Sequence, residues 1–251
     1  MLRIVKTEFL KLKNFSILWI GISAMLAGVL LTRFMAIASD GTEYTFSFFS
    51  SEVIWNVFTL ILPSTIALLA GYIVERERTD DTLKNIRVIP ISFRRMLAGK
   101  LIVIAILCIC LSVIEFIFTL GVVFLSGYAG ITGESIFRVL YQMIVINMSV
   151  YISVLPIIVL TCQKEGAFIN GVVFAFFYGF VGTFAASHDL ANIYPITAGL
   201  SLANYNGDQQ IVYNKPTSLL IIIIILFISA VLLIFAKDRG KKQKKEHQHK
   251  V

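Results

Sequence analysis

The chain has 251 residues, 57% of them apolar and only 15% charged, with a mean hydropathy of +0.84 and a formal charge of +7. Several uninterrupted apolar runs reach the ~20 residues that a helix needs to cross a bilayer. That makes the chain a polytopic membrane protein and excludes an ordinary soluble enzyme. Six runs and their connections occupy nearly the whole length, so a single all-α membrane domain over residues 1–236 is expected, with a basic tail at 237–251 and no separate soluble domain.

In the lead, residues 1–15, Leu2, Val5, Phe9 and Leu12 share one helical face while Lys6, Lys11 and Lys13 point elsewhere. This describes an amphipathic helix lying on the inner membrane surface. The apolar run that follows is long enough to span, and no small-residue cleavage site ends it, which argues against a signal peptide. The six spans are expected at about 16–37, 53–74, 96–125, 139–161, 166–187 and 218–236. The connection Ala38–Glu52 reads as an outer loop carrying Asp40, Glu43 and Glu52 beside Tyr44, Phe46, Phe48 and Phe49. Between the last two spans, Ile193–Ala203 is apolar but too short to cross, and reads as a re-entrant or interfacial segment.

Of the 22 lysines and arginines, all but Arg33, Arg138 and Lys215 fall on one side if both termini are inside. The positive-inside rule then makes that side cytoplasmic. It also accounts for the basic balance, so nucleic-acid binding is not implied. The tail reads as a disordered segment drawn to anionic lipid heads.

Within the spans, Arg33 and Glu115 are the ionisable exceptions, and an ionisable group at membrane depth is a functional candidate. Counted at ~1.5 Å per residue they lie at similar depths, so an ion pair is one arrangement. The other, which is favoured, has Arg33 reaching outward and Glu115 neutral, hydrogen-bonded to a neighbouring helix. Asn56, Asn147 and Asn170 read as hydrogen-bonding glue between helices, and Pro63 and Pro156 either as kinks needed for opening or as ordinary kinks that spans tolerate. Cys108, Cys110 and Cys162 match no metal or redox spacing and read as small buried hydrophobes. No metal site, phosphate-binding loop or Ser/His/Asp set is present, so no catalytic residue is assigned and the chain is not expected to hydrolyse ATP.

One charged stretch interrupts this oily chain. Residues 75–100 read ERERTDDTLKNIRVIPISFRRMLAGK. So many ionisable groups cannot lie in lipid, so the stretch joins spans 2 and 3 through water. Thr79-Asp80-Asp81-Thr82 is a cluster of helix N-cap formers. Leu83, Ile86 and Ile89 follow at near-helical spacing, and Pro90 denies the helix its next N–H and ends it. Ser92 is placed to cap the third span. A short amphipathic helix across the ends of two spans results.

This stretch resembles the first cytoplasmic loop of ABC-2 type transporter permeases, the membrane subunits of ATP-driven exporters. The family pattern, roughly Glu…Gly-Thr-Leu-Lys-Asn-Leu…Pro-Ile-Ser-Arg…Gly-Lys, appears as Glu75/Glu77, Asp81-Thr82-Leu83-Lys84-Asn85-Ile86, Pro90-Ile91-Ser92, Arg94/Arg95 and Gly99-Lys100. Asp81 stands where the family has Gly, and Phe93 displaces the Arg. Chain length, span count and the basic lead match too, and the subgroup that protects cells from lantibiotics and bacitracin-like peptides is the nearest in character. The resemblance implies a coupling helix at which a separate cytosolic ABC ATPase docks, with Glu75, Glu77, Thr82, Leu83, Lys84, Ile86, Arg87, Ile89 and Pro90 as the interface. It further implies two permeases per assembly, identical or sister chains. ATP and Mg would be held by the ATPase, and this chain would hold no cofactor. The expected setting is a bacterial plasma membrane, and the expected cargo an amphipathic molecule such as an antimicrobial peptide. Alternatives are another cargo (drug, lipid or ion), a membrane-embedded enzyme, which the missing catalytic set disfavours, or a non-transporting sensor subunit.

Overall fold

The computed structural model describes residues 2–12, 16–38, 44–79, 92–187, 190–205, 207 and 212–237. Its described elements are helices: α1 (Leu2–Leu12), α2 (Ile17–Ala38), α3 (Phe46–Asn56), a π-turn (Val57–Ile61), α4 (Leu62–Thr79), α5 (Phe93–Ser126), α6 (Gly133–Thr161), α7 (Phe168–Ser187), α8 (Pro195–Leu202) and α9 (Lys215–Phe235). Among the described residues there is no strand, only the isolated bridge between Thr45 and Ala129. Six helical runs are long and apolar enough to cross a membrane. The expected coupling helix, with Thr82 through Pro90, and the tail beyond Lys237 lie outside the described residues.

Span 2 is longer than the sequence suggested. It runs continuously over Phe46–Glu77, 32 residues, and span 3 covers Phe93–Ser126, 34 residues. At ~1.5 Å per residue each is about 50 Å long, well beyond the ~30 Å hydrocarbon core, so both project into water. The expected outer loop therefore ends at Thr45, whose hydroxyl accepts the Phe48 N–H and caps α3. Phe46 and Phe49, expected in that loop, are fully buried. Phe49 packs against Tyr128, 5.4 Å between ring centres, and burying such rings favours extending the helix back to Phe46. Span 4 also starts early, at Gly133, because Thr132 and Ser135 form a reciprocal capping box ahead of the apolar run.

Spans 2 and 4 are mostly buried and form the centre; spans 1, 5 and 6 expose most of their surface. The most extensive helix contact is between α4 and α7. It forms where Pro63 has no N–H to give the Thr59 carbonyl. The backbone widens there into the π-turn, with Leu62 N–H reaching back to the Val57 carbonyl. Hydroxyls take up the loosened carbonyls: Thr59 donates to Trp55 O at 2.7 Å and Thr65 to Ile61 O at 2.8 Å. The α7 backbone presses onto this bulge at Gly179, where a Cβ would lie 2.3 Å from Thr59 O and 2.7 Å from Pro63 Cγ.

The short apolar segment expected near 193–203 is α8, eight residues with Ile196 through Ser201 all buried. It packs on α6 and α9. Gly199 admits it: a Cβ there would meet Ser149 Cβ at 2.6 Å. Gln142 holds its end by donating to Asn204 O at 3.0 Å, and Tyr194 donates to Tyr178 O at 2.6 Å.

Candidate functional site

Two polar constellations stand out from the apolar bundle. The first sits where spans 2 and 3 emerge toward the 80–91 segment. Lys100, about two turns into α5, is 1% exposed. Its ammonium lies 2.6 Å from Glu8 Oε2 and 3.0 Å from Glu77 Oε1, with the Ile73 carbonyl at 3.4 Å. Lys11 closes the far side, 3.0 Å from Glu8 Oε1 and 2.7 Å from Glu77 Oε1. The four groups alternate in sign around a closed, neutral ring. A lone ammonium buried this deeply would cost several kcal/mol, so the flanking carboxylates are required for Lys100 to be there at all. Burial alone would raise the Glu8 carboxyl, but Lys100 and then Lys11 outweigh it, and the group lies below the usual carboxylate value. Burial alone would lower Lys11; its hydrogen bonds to Glu77 and Glu8 reverse that and leave it above the ordinary lysine value.

Three elements contribute to this ring: Glu8 and Lys11 from α1, Glu77 from the end of α4, and Lys100 from α5. The buried contact of α1 falls on a residue that the sequence did not single out. Phe9, on the apolar face expected to meet the membrane, is 48% exposed, whereas Glu8 is buried. With two cationic partners the Glu8 carboxylate can be buried, and Phe9 stays on the face that the sequence assigns to the membrane. The sequence carried one faint signal: Glu8 is the only acid in the lead, three residues before Lys11.

Nearby backbone contacts tie the other connections to the same end. Glu75 Oε1 accepts the Gly166 N–H at 2.8 Å, joining span 2 to the turn between spans 4 and 5. Arg94 donates to Ala236 O at 3.2 Å, and Gln163 Oε1 accepts the Lys237 N–H at 3.3 Å, which fastens the end of span 6. Of the interface residues expected from sequence, the structure thus places Glu75 and Glu77, both as braces between helices. Thr82, Leu83, Lys84, Ile86, Arg87, Ile89 and Pro90 lie outside the described residues.

The second constellation lies between spans 3 and 4. Glu115 is fully buried, and the Asn147 amide donates to its Oε2 at 2.7 Å and to Ser112 Oγ at 3.0 Å. Glu115 Oε1 has no hydrogen-bond partner among the described residues. The ion pair with Arg33 is absent. Arg33 instead donates to the Tyr128 hydroxyl and lies over that ring, 5.3 Å from its centre. Tyr44 and Phe49 pack on the same ring at 5.8 and 5.4 Å. The guanidinium's long stem lets it leave the lipid for this aromatic cluster, near where α5 ends at Gly127, so depth counted at the Cα is no guide to its partner. Asn56 donates to Thr32 Oγ1 at 3.0 Å and joins α2 to α3. Asn170 and Cys110, expected inside, are exposed instead, since residue type does not reveal which side of a helix is covered; Cys108 and Cys162 are buried. No group of three or more metal-ligating side chains occurs among the described residues.

An all-helical bundle with six helices long and apolar enough to cross a membrane, and a buried ring of charge at one end, defines a multi-pass membrane protein built around two spans of 32 and 34 residues. Residues 4–182, well over half of the chain, match the family model described as ABC-2 family transporter protein, and the chain belongs to that family. No curated protein and no solved structure matches it.

Proposed function

We propose that the chain is the permease subunit of an ATP-driven exporter, with both termini and the 80–91 segment in the cytosol of a bacterial cell. The reading is supported by the family match together with the two long helical runs whose ends, α4 and α5, flank that segment and serve as its stems. A partner ATPase docks on the ridge of Leu83, Ile86 and Ile89, and its closure on ATP displaces the stems. ATP and Mg belong to the partner. Two permeases, identical or sister chains, complete the assembly, and the cargo is an amphipathic molecule, with an antimicrobial peptide as the leading class. The sparse polar content of the spans suits a cargo taken from the membrane better than a hydrophilic one.

Copurification in mild detergent tests this reading. Leu83→Asp with Ile86→Asp should leave the protein inserted and remove the ATPase, since an apolar ridge loses a few kcal/mol when unpaired charge is forced into its interface. Wild-type recovery of the ATPase by this double variant would overturn it.

A further inference from the structure

The charge ring joins parts that would otherwise have separate mechanical fates. Helix α1 has an exposed face carrying Lys6, Phe9 and Leu10, so a surface helix held only by lipid would stay with the bilayer when the spans move. The ring opposes that. Glu8 reaches across to α5 and Lys11 reaches across to α4, so α1 is pinned to both stems at once. Lys100 then pins the stems to each other through Glu77. Sliding α1 away would break two cross-helix ion pairs, and the alternating signs give no equivalent arrangement with any other register, since a shift sets like charges side by side. Buried charge of this kind is a device of position more than of stability: replacing such groups with well-packed apolar residues often costs nothing.

We propose that Glu8, Lys11, Glu77 and Lys100 make α1 part of the moving unit, so that a displacement of the 80–91 segment carries the surface helix along with spans 2 and 3. This rests on the reading of 80–91 as the place where a partner ATPase pushes. Helix α1 is then a lever in the coupling between ATP use and export, and Lys100, whose ammonium meets Glu8 and Glu77, is a positioning residue.

The experiment uses the full chain in nanodiscs, alone and with its ATPase. Spin labels are placed at the exposed positions Lys6 on α1 and Arg95 on α5, with the native cysteines replaced by Ala. Three ring states are compared: wild type; the neutral ring Glu8→Gln, Lys11→Gln, Glu77→Gln, Lys100→Gln; and the inverted ring Glu8→Lys, Lys11→Glu, Glu77→Lys, Lys100→Glu. The α1–α5 distance distribution should be narrow in the wild type and the inverted ring, and should stay so through the ATP cycle. In the neutral ring it should broaden, and cargo moved per ATP hydrolysed should fall several-fold, with the inverted ring restoring it. A merely structural ring would change yield without changing that ratio. The inference is overturned if the neutral ring keeps the narrow distribution. It is equally overturned if the distribution broadens while cargo moved per ATP is unchanged. If the Leu83→Asp, Ile86→Asp variant keeps its ATPase, the reading of 80–91 falls on its own, and the distances still decide whether α1 is clamped.

Discussion

Lys100→Met is the sharpest perturbation of this protein. Methionine matches the stem of lysine and removes only the ammonium, which is 2.6 Å from Glu8 and 3.0 Å from Glu77. Two carboxylates are then left at a site where their side chains are 8% exposed, with Lys11 as the one remaining ring cation. Removing one partner from a buried pair costs about 3–5 kcal/mol, because the other charge stays in low dielectric. Adding Glu8→Gln removes one of the two stranded charges and restores the one-to-one balance of Lys11 with Glu77. The double variant should therefore be more stable than the sum of the singles by ~0.5–3 kcal/mol, the range for residues sharing a network. The assay is thermal or denaturant unfolding of the detergent-solubilised chain, read by monodisperse yield, for wild type, both singles and the double. Additivity to within ~0.5 kcal/mol would mean the side chains do not share a site, and would refute the ring as drawn.

Three other outcomes follow from particular contacts. Glu115→Gln should change folded yield by less than ~1 kcal/mol, because an amide oxygen still accepts from Asn147, and its effect should simply add to that of Arg33→Gln, whose partner is Tyr128; strong coupling between the two would contradict the separation seen here. Gly179→Val should cost at least as much as a typical overpacking change, about 1–3 kcal/mol, because its Cβ would fall 2.3 Å from the backbone oxygen of Thr59, which cannot step aside; wild-type melting would refute the close approach. Ring stability should hold on a broad plateau and fall at both ends of the pH scale. Glu8 is lowered in the folded state, so its contribution is present above its unfolded value and is lost as pH drops through the folded one; Lys11 is raised, so its contribution is present below its unfolded value and is lost as pH climbs through the folded one. Unfolding midpoints measured across pH for wild type and the neutral ring check this, and parallel curves would refute it.

Much of the architecture could be read without coordinates. Six spans, the surface helix and the short apolar segment before span 6 follow from run lengths and spacing, because a bilayer accepts helices of only one length class and excludes unpaired backbone. The charge of the 75–100 stretch marked where the chain must leave the membrane, while the helix expected over residues 82–90 lies outside the described residues. What periodicity could not decide was which face of each helix meets protein and which meets lipid, since both are apolar. That is why Asn170 and Cys110 were expected inside, and why Glu8 went unnoticed on α1. Partnership between distant charges was equally hidden. Glu8 and Lys100 are 92 positions apart and meet because α1 folds back against α5, while Glu115 and Arg33, alike in depth, face different neighbours. Sequence alone determined how many helices cross and where charge must leave the membrane, because transfer to lipid is a property of each segment by itself. Only tertiary packing decided which charges pair, because ion pairing depends on ångström-scale distances between helices.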